Sequence, residues 1–101
     1  NVTTSPLTTI NLTLSNSEGV VVTTAATATD ARIPTNAGTA FIIGTKITII
    51  QEGAGQVTIT PTAGVTLNSE GGKTKTTAQY SVAHVVKTGT DTWYAYGDIT
   101  T

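Results

Sequence analysis

The sequence predicts an all-β domain: an antiparallel β-sandwich or jelly-roll-like barrel of about 8–10 short strands. Three observations predict it. Roughly a quarter of the residues are threonine, whose branched Cβ is stiff at χ1 and suits a pleated surface. Helix formers are scarce, methionine is absent, and no window places apolar residues at helical spacing. Turn-forming clusters recur about every 8–12 residues between short apolar or alternating runs, as in sandwiches and barrels.

The elements follow in order. Asn1 to Ile10, with Ser5-Pro6, reads as a polar N-terminal arm, leaving residues 11–101 as a single β-sandwich domain. From Ile10 the alternation is strict: Ile10, Leu12 and Leu14 point one way, Thr9, Asn11 and Thr13 the other. Ser15 to Gly19 is a turn by composition. Val20-Val21-Val22-Thr23-Thr24 is apolar enough for a sandwich interior. Ala25 to Ile33 reads as extended, because its threonines, Asp30 and the following Pro34 oppose a long helix. Pro34 to Gly38 turns the chain, and Thr39 to Ile43 leads to Lys46–Gln51, the strongest strand signal. Glu52-Gly53-Ala54-Gly55 then reads as a tight hairpin whose glycines supply positive φ, returning Gln56–Thr60 antiparallel with Val57 and Ile59 inward. Pro61–Gly64 is a turn, Val65 and Leu67 a short strand, Asn68–Gly72 a loop, and Thr74–Thr76 a short edge segment. Gln79–Lys87 is a long strand with Tyr80, Val82, His84 and Val86 on one face. Thr88–Asp91 turns into Thr92–Asp98, where Trp93 faces one side and Tyr94 and Tyr96 the other. No linker divides the chain and no internal repeat stands out.

Composition limits function. The chain has 101 residues, 11% charged, with a formal net charge of −1. Its five Lys and Arg are scattered, so no basic patch offers itself to nucleic acid, and no apolar run is long enough for a membrane helix. Without cysteine there are no disulfides or thiolate metal sites. The chain opens at Asn1 with neither Met nor a signal-peptide pattern, which points to processing, trimming or a piece of a longer chain. A domain of this size gains from self-association.

The candidate chemistry is thin. His84 is the sole histidine, mid-strand among apolar neighbours, with no nucleophile elbow elsewhere. It reads as a core or interface residue; a histidine ring on a trimer axis would be the only route to a metal. The carboxylates Glu18, Asp30, Glu52, Glu70, Asp91 and Asp98 fall mostly in turns, and no pair is spaced for glycoside hydrolysis. Gly71-Gly72-Lys73-Thr74 mimics the end of a phosphate loop, but that motif needs glycine where Leu67 stands. Asn1-Val2-Thr3 and Asn11-Leu12-Thr13 match the glycosylation sequon, a frequent coincidence in Thr-rich text. Trp93 reads as the core plug, with Tyr94 and Tyr96 covering an edge or forming a binding face.

One stretch carries a resemblance. It runs from Gly44-Thr45 through Ile50-Gln51-Glu52-Gly53-Ala54-Gly55-Gln56-Val57-Thr58-Ile59 and Gly64-Val65-Thr66-Leu67. It continues with Gly71-Gly72-Lys73-Thr74-Lys75, Ala78-Gln79-Tyr80-Ser81, Val86-Lys87 and Thr92-Trp93, ending at Gly97-Asp98. In this order the elements resemble the β-rich module of tailed-bacteriophage virion proteins, among them head-decoration and tail-fibre-like proteins. The resemblance spans rather more than half of the chain and implies a structural role on the virion exterior, often as a trimer. The expectation is a capsid decoration (cement) protein, not an enzyme, that stabilises the outer head shell as a homotrimer against the major capsid protein or another virion protein. The alternative is a tail- or head-fibre domain binding a host-surface receptor or glycan. The candidate interaction surface is Tyr94, Tyr96, His84 and Tyr80; no catalytic residue, cofactor, metal, nucleic acid or membrane is expected.

Overall fold

The computed structural model describes residues 1–101. Eleven strands form two packed sheets: β1 (Val2–Ser5), β2 (Thr9–Asn11), β3 (Val20–Thr23), β4 (Thr29–Ile33), β5 (Lys46–Gln51), β6 (Val57–Pro61), β7 (Thr66–Ser69), β8 (Lys75–Thr76), β9 (Val82–Gly89), β10 (Thr92–Gly97) and β11 (Ile99–Thr100). Sheet one runs β1-β3-β5-β9-β10-β7 and sheet two β11-β8-β6-β4-β2. The only helical segments are single 3₁₀ turns at Leu14–Asn16 and Glu70–Gly72. The all-β sandwich predicted from the sequence is therefore the architecture.

The pairing is mixed rather than purely antiparallel. The first six strands alternate between the sheets, so that β1, β3 and β5 stack parallel in one and β2, β4 and β6 stack parallel in the other. The result is three stacked two-strand coils. The rest of the chain closes the stack: β9 pairs antiparallel to β5, β10 to β9, β8 to β6 and β11 to β8, while β7 lies parallel to β10.

Four local expectations change with this topology. Residues 1–10 are not a free arm, because β1 is hydrogen-bonded along β3 and β2 along β4. The Glu52–Gly55 segment is not a hairpin, because β5 and β6 lie in opposite sheets; it is the arched corner of the third coil. It lies on the corner of the second coil, with Gly55 N–H donating to Ala25 O at 3.0 Å and Glu52 N–H to Thr23 O at 2.9 Å. A Cβ at Gly55 would stand 1.8 Å from Thr27 O, and one at Gly53 2.3 Å from Ala25 O. These glycines thus serve close backbone approach rather than positive φ. The Thr74–Thr76 region is no edge, since β8 lies between β6 and β11. Finally, Tyr80 precedes its strand at φ 72° instead of lying within it.

Inward positions build one core of Ile10, Leu12, Val21, Ala31, Ile33, Phe41, Ile47, Ile49, Val57, Ile59, Ala83, Val85, Trp93 and Ala95. Trp93 is its largest member and meets Phe41 edge-on at 5.4 Å between ring centroids. Polar groups caught inside are matched. Thr76, fully buried, accepts the Val57 N–H at 2.9 Å and donates to the Gln51 side-chain oxygen. Lys87, also inward, donates from Nζ to Asn36 Oδ1 and to Phe41 O, both at 2.7 Å, tying the 34–45 loop to the end of β9. No buried side-chain polar atom lacks a partner.

Candidate functional site: the outer face of the six-stranded sheet

The two outer faces differ in chemistry, and the difference is written in the strands. In sheet two, Thr29-Asp30-Ala31-Arg32-Ile33 and Val57-Thr58-Ile59-Thr60 alternate cleanly, so the outside is Thr9, Asn11, Asp30, Arg32, Thr58, Thr60 and Lys75. Asp30 there takes a 2.9 Å ion pair from Arg32 and a hydrogen bond from the Thr60 hydroxyl. Sheet one instead carries apolar neighbours in sequence: Val20-Val21-Val22, Ile49-Ile50 and Val85-Val86. One member of each set (Val21, Ile49, Val85) enters the core and the rest face outward.

Registered residues share a face, so the outer surface of sheet one carries three long transverse rows, with the polar pair Thr66 and Thr92 beyond them. The first is Asn68, Tyr94, Val86 and Lys46; the second Tyr96, His84, Thr48, Val20 and Val2; the third Val82, Ile50, Val22 and Thr4. Lys46 is the one charged side chain among them. On this face Tyr94 and Tyr96 each remain 46% exposed.

The centre of this face is organised. His84 stacks on Tyr96 with ring centroids 4.9 Å apart and 23° between planes, and its Nδ1 shares a 3.0 Å hydrogen bond with the Thr48 hydroxyl. Burial, then the nearby Lys46 charge, lowers the His84 pKa below 6.5, opposed by Asp98. The neutral imidazole is thereby favoured, which suits an apolar surface. Beside it, Gly97 at φ 111° lets β10 pass β9, since a Cβ would come within 2.6 Å of Val82 O. Of the four residues singled out in the sequence, Tyr94, Tyr96 and His84 come together here. Tyr80 is exposed on the turn before β9 and donates its backbone N–H to Gln51 O. Sequence reasoning placed Val82 and Val86 on the same strand face as His84 but did not join Val20, Val22 and Ile50 to it; the signal was the runs of adjacent apolar residues.

A second apolar feature lies at the sandwich end that holds the start of β5. Leu14, Ala40, Ile42, Ile43 and Gly44 line an open cleft of about 470 Å³, and Ile42 is 82% exposed.

Three of the carboxylates hold backbone amides in place. Glu18 accepts the Lys46 N–H, Asp91 the Asn36 N–H and Asp98 the Val82 N–H. No three His, Cys, Asp or Glu side chains gather where they could hold a metal. Comparison with protein-family models, with curated proteins and with solved structures returned no match.

Proposed function

We propose that this chain is a virion structural module, a capsid decoration protein that assembles through the outer face of its six-stranded sheet. The observation that carries the assembly role is the apolar, nearly uncharged outside of sheet one set against the polar outside of sheet two. A sheet that carries Val20, Ile50, Val82 and Val86 outward spends apolar surface on water unless a protein covers it. Covering it returns about 25 cal/mol per Å² before the entropic cost of association. Tyr94, Tyr96 and His84 supply the flat, rigid side chains that interface centres favour. The virion setting is supported by the order of elements from Gly44 to Asp98. In this reading the face meets copies of the same chain in a trimer that caps the major capsid protein on the particle exterior. Catalysis has no part in it, and neither do a cofactor, nucleic acid or a membrane.

The test is the mass of the wild-type protein in sedimentation equilibrium beside Ile50→Lys and Val86→Lys. Both side chains point outward, so the folded chain tolerates the charge while a covered face does not. The expected result is a trimer for the wild type and its loss in both variants, with parallel loss of binding to particles stripped of this protein. A wild type that stays monomeric at about 100 µM and binds no particle overturns the proposal.

The Tyr96–His84 stack, with Tyr94 registered beside Asn68, favours a second reading, a fibre domain that stacks a host glycan on exposed rings. Glycan binding by the isolated domain, abolished by Tyr94→Ala or Tyr96→Ala, distinguishes it from decoration.

A further inference from the structure

β1 and β2 are the outermost strands of their sheets, at the same end of the sandwich. Their hydrogen-bonding parity is fixed by the strands behind. Asn1 O and Ser5 O accept from Val20 and Thr24 at 2.9 Å each, so the backbone of Val2 and Thr4 points away from β3. Thr8 O accepts from Asp30, and Leu12 N–H donates to Arg32 O, so Thr9 and Asn11 point away from β4. Two rows of unpaired N–H and C=O groups therefore face the same direction.

Natural edges of this kind are guarded by charge, proline or a bulge. No side chain from Asn1 to Ser17 is charged, and Pro6 sits in the corner between β1 and β2 rather than on either strand. The opposite end differs: Glu70 follows β7 and Asp98 precedes β11. The unguarded end also holds Val2 and Leu7, which are 65% and 61% exposed.

We propose that this end is a second, independent interface, on which β1 and β2 pair edge to edge with β1 and β2 of a second copy. Because both edges lie at one end, a two-fold axis perpendicular to the sheets sets each strand antiparallel to its counterpart at once. The contact is isologous and closed, so it makes dimers rather than fibres. Molecular extents of 33 × 29 × 20 Å give an end of roughly 20 × 29 Å, about 600 Å² per copy and about 1,200 Å² in all, the lower limit of a specific interface. Pairing extends sheet one past Val2 and Thr4, so its outer face continues across the junction. The interface does not depend on what covers that face.

The experiment uses Ile50→Lys, in which the outer face is blocked, so that failure of the assembly reading and failure of this one are told apart. At about 1 mM the expected state is a dimer, with the amide protons of Val2, Thr4, Thr9 and Asn11 exchanging about tenfold or more slowly than at low concentration. Adding Thr4→Lys with Thr9→Lys, which puts a positive charge on each edge, returns the protein to a monomer with fast exchange at those four amides. Thr4→Pro, which deletes only an outward N–H, weakens the dimer in the same direction and guards against a folding artefact. A monomer at that concentration, or a dimer whose four amides stay unprotected, overturns the proposal.

Discussion

Gly55 stands where two corners of the stack touch, and replacing it with alanine is the sharpest probe of the fold. The added Cβ would meet Thr27 O at 1.8 Å, Thr27 C at 2.5 Å and Ala25 O at 2.9 Å, all backbone atoms that cannot swing aside. The corners must part, which breaks the Gly55 N–H to Ala25 O bond at 3.0 Å and loosens those from Glu52 and Gly53 to Thr23 O. Overpacking of this kind costs about 1–3 kcal/mol, and one broken plus two loosened backbone bonds add about 2 kcal/mol together. The sum of about 3–5 kcal/mol is a large part of the 5–15 kcal/mol that holds an ordinary domain together, and lowers Tm by about 15–25 °C in a chain of this length. Circular dichroism melts of Gly55→Ala, Gly55→Asn and Gly38→Ala test it. Gly38 is the control, since its Cβ would meet nothing closer than 3.4 Å, and its variant stays within about 1 kcal/mol of wild type. Asparagine tolerates left-handed backbone and would rescue a hairpin glycine, but it carries a Cβ and fails here as alanine does. A Gly55→Ala protein melting within about 5 °C of wild type refutes the stacked-corner argument.

Thr76→Val keeps the shape of a buried side chain but strands the Val57 N–H and the Gln51 oxygen; a loss of about 2–3 kcal/mol in urea unfolding is expected. Lys87→Met removes both Nζ hydrogen bonds to the 34–45 loop, leaving Phe41 O without its donor. About 2–3 kcal/mol of destabilisation follows, with hydrogen exchange quickened first at Gly38 and Thr39. The lowered His84 pKa gives stability a defined pH dependence. As pH falls below 6.5 the unfolded chain takes up the proton before the folded one, so stability present above 6.5 declines until the folded imidazole also protonates. Melts from pH 8 to 5 should show this decline in wild type and lack its histidine component in His84→Gln; identical profiles would remove His84 from the explanation.

The sequence by itself determined what depends on local chemistry. Threonine content, alternation and the spacing of turns dictate strands. Inward parity was legible for Val57, Ile59 and Trp93, and outward parity for Tyr94 and Tyr96, because side chains in a strand point alternately to opposite faces whatever the partner. What only the tertiary structure decided was which strands are neighbours. Gly53-Ala-Gly55 between two apolar runs has the composition of a hairpin, and nothing within it reports that the chain crosses to the other sheet. That is decided by Thr24, Ala25 and Thr27, whose backbone lies against it from almost thirty residues away. The arm at residues 1–10 becomes two strands for the same reason: its partners, β3 and β4, are distant in sequence. The apolar doublets Val21-Val22, Ile49-Ile50 and Val85-Val86 stood in the text from the start. A doublet says that both faces of a strand are apolar, and only the register of β3, β5, β9 and β10 turns separate outward residues into one continuous surface.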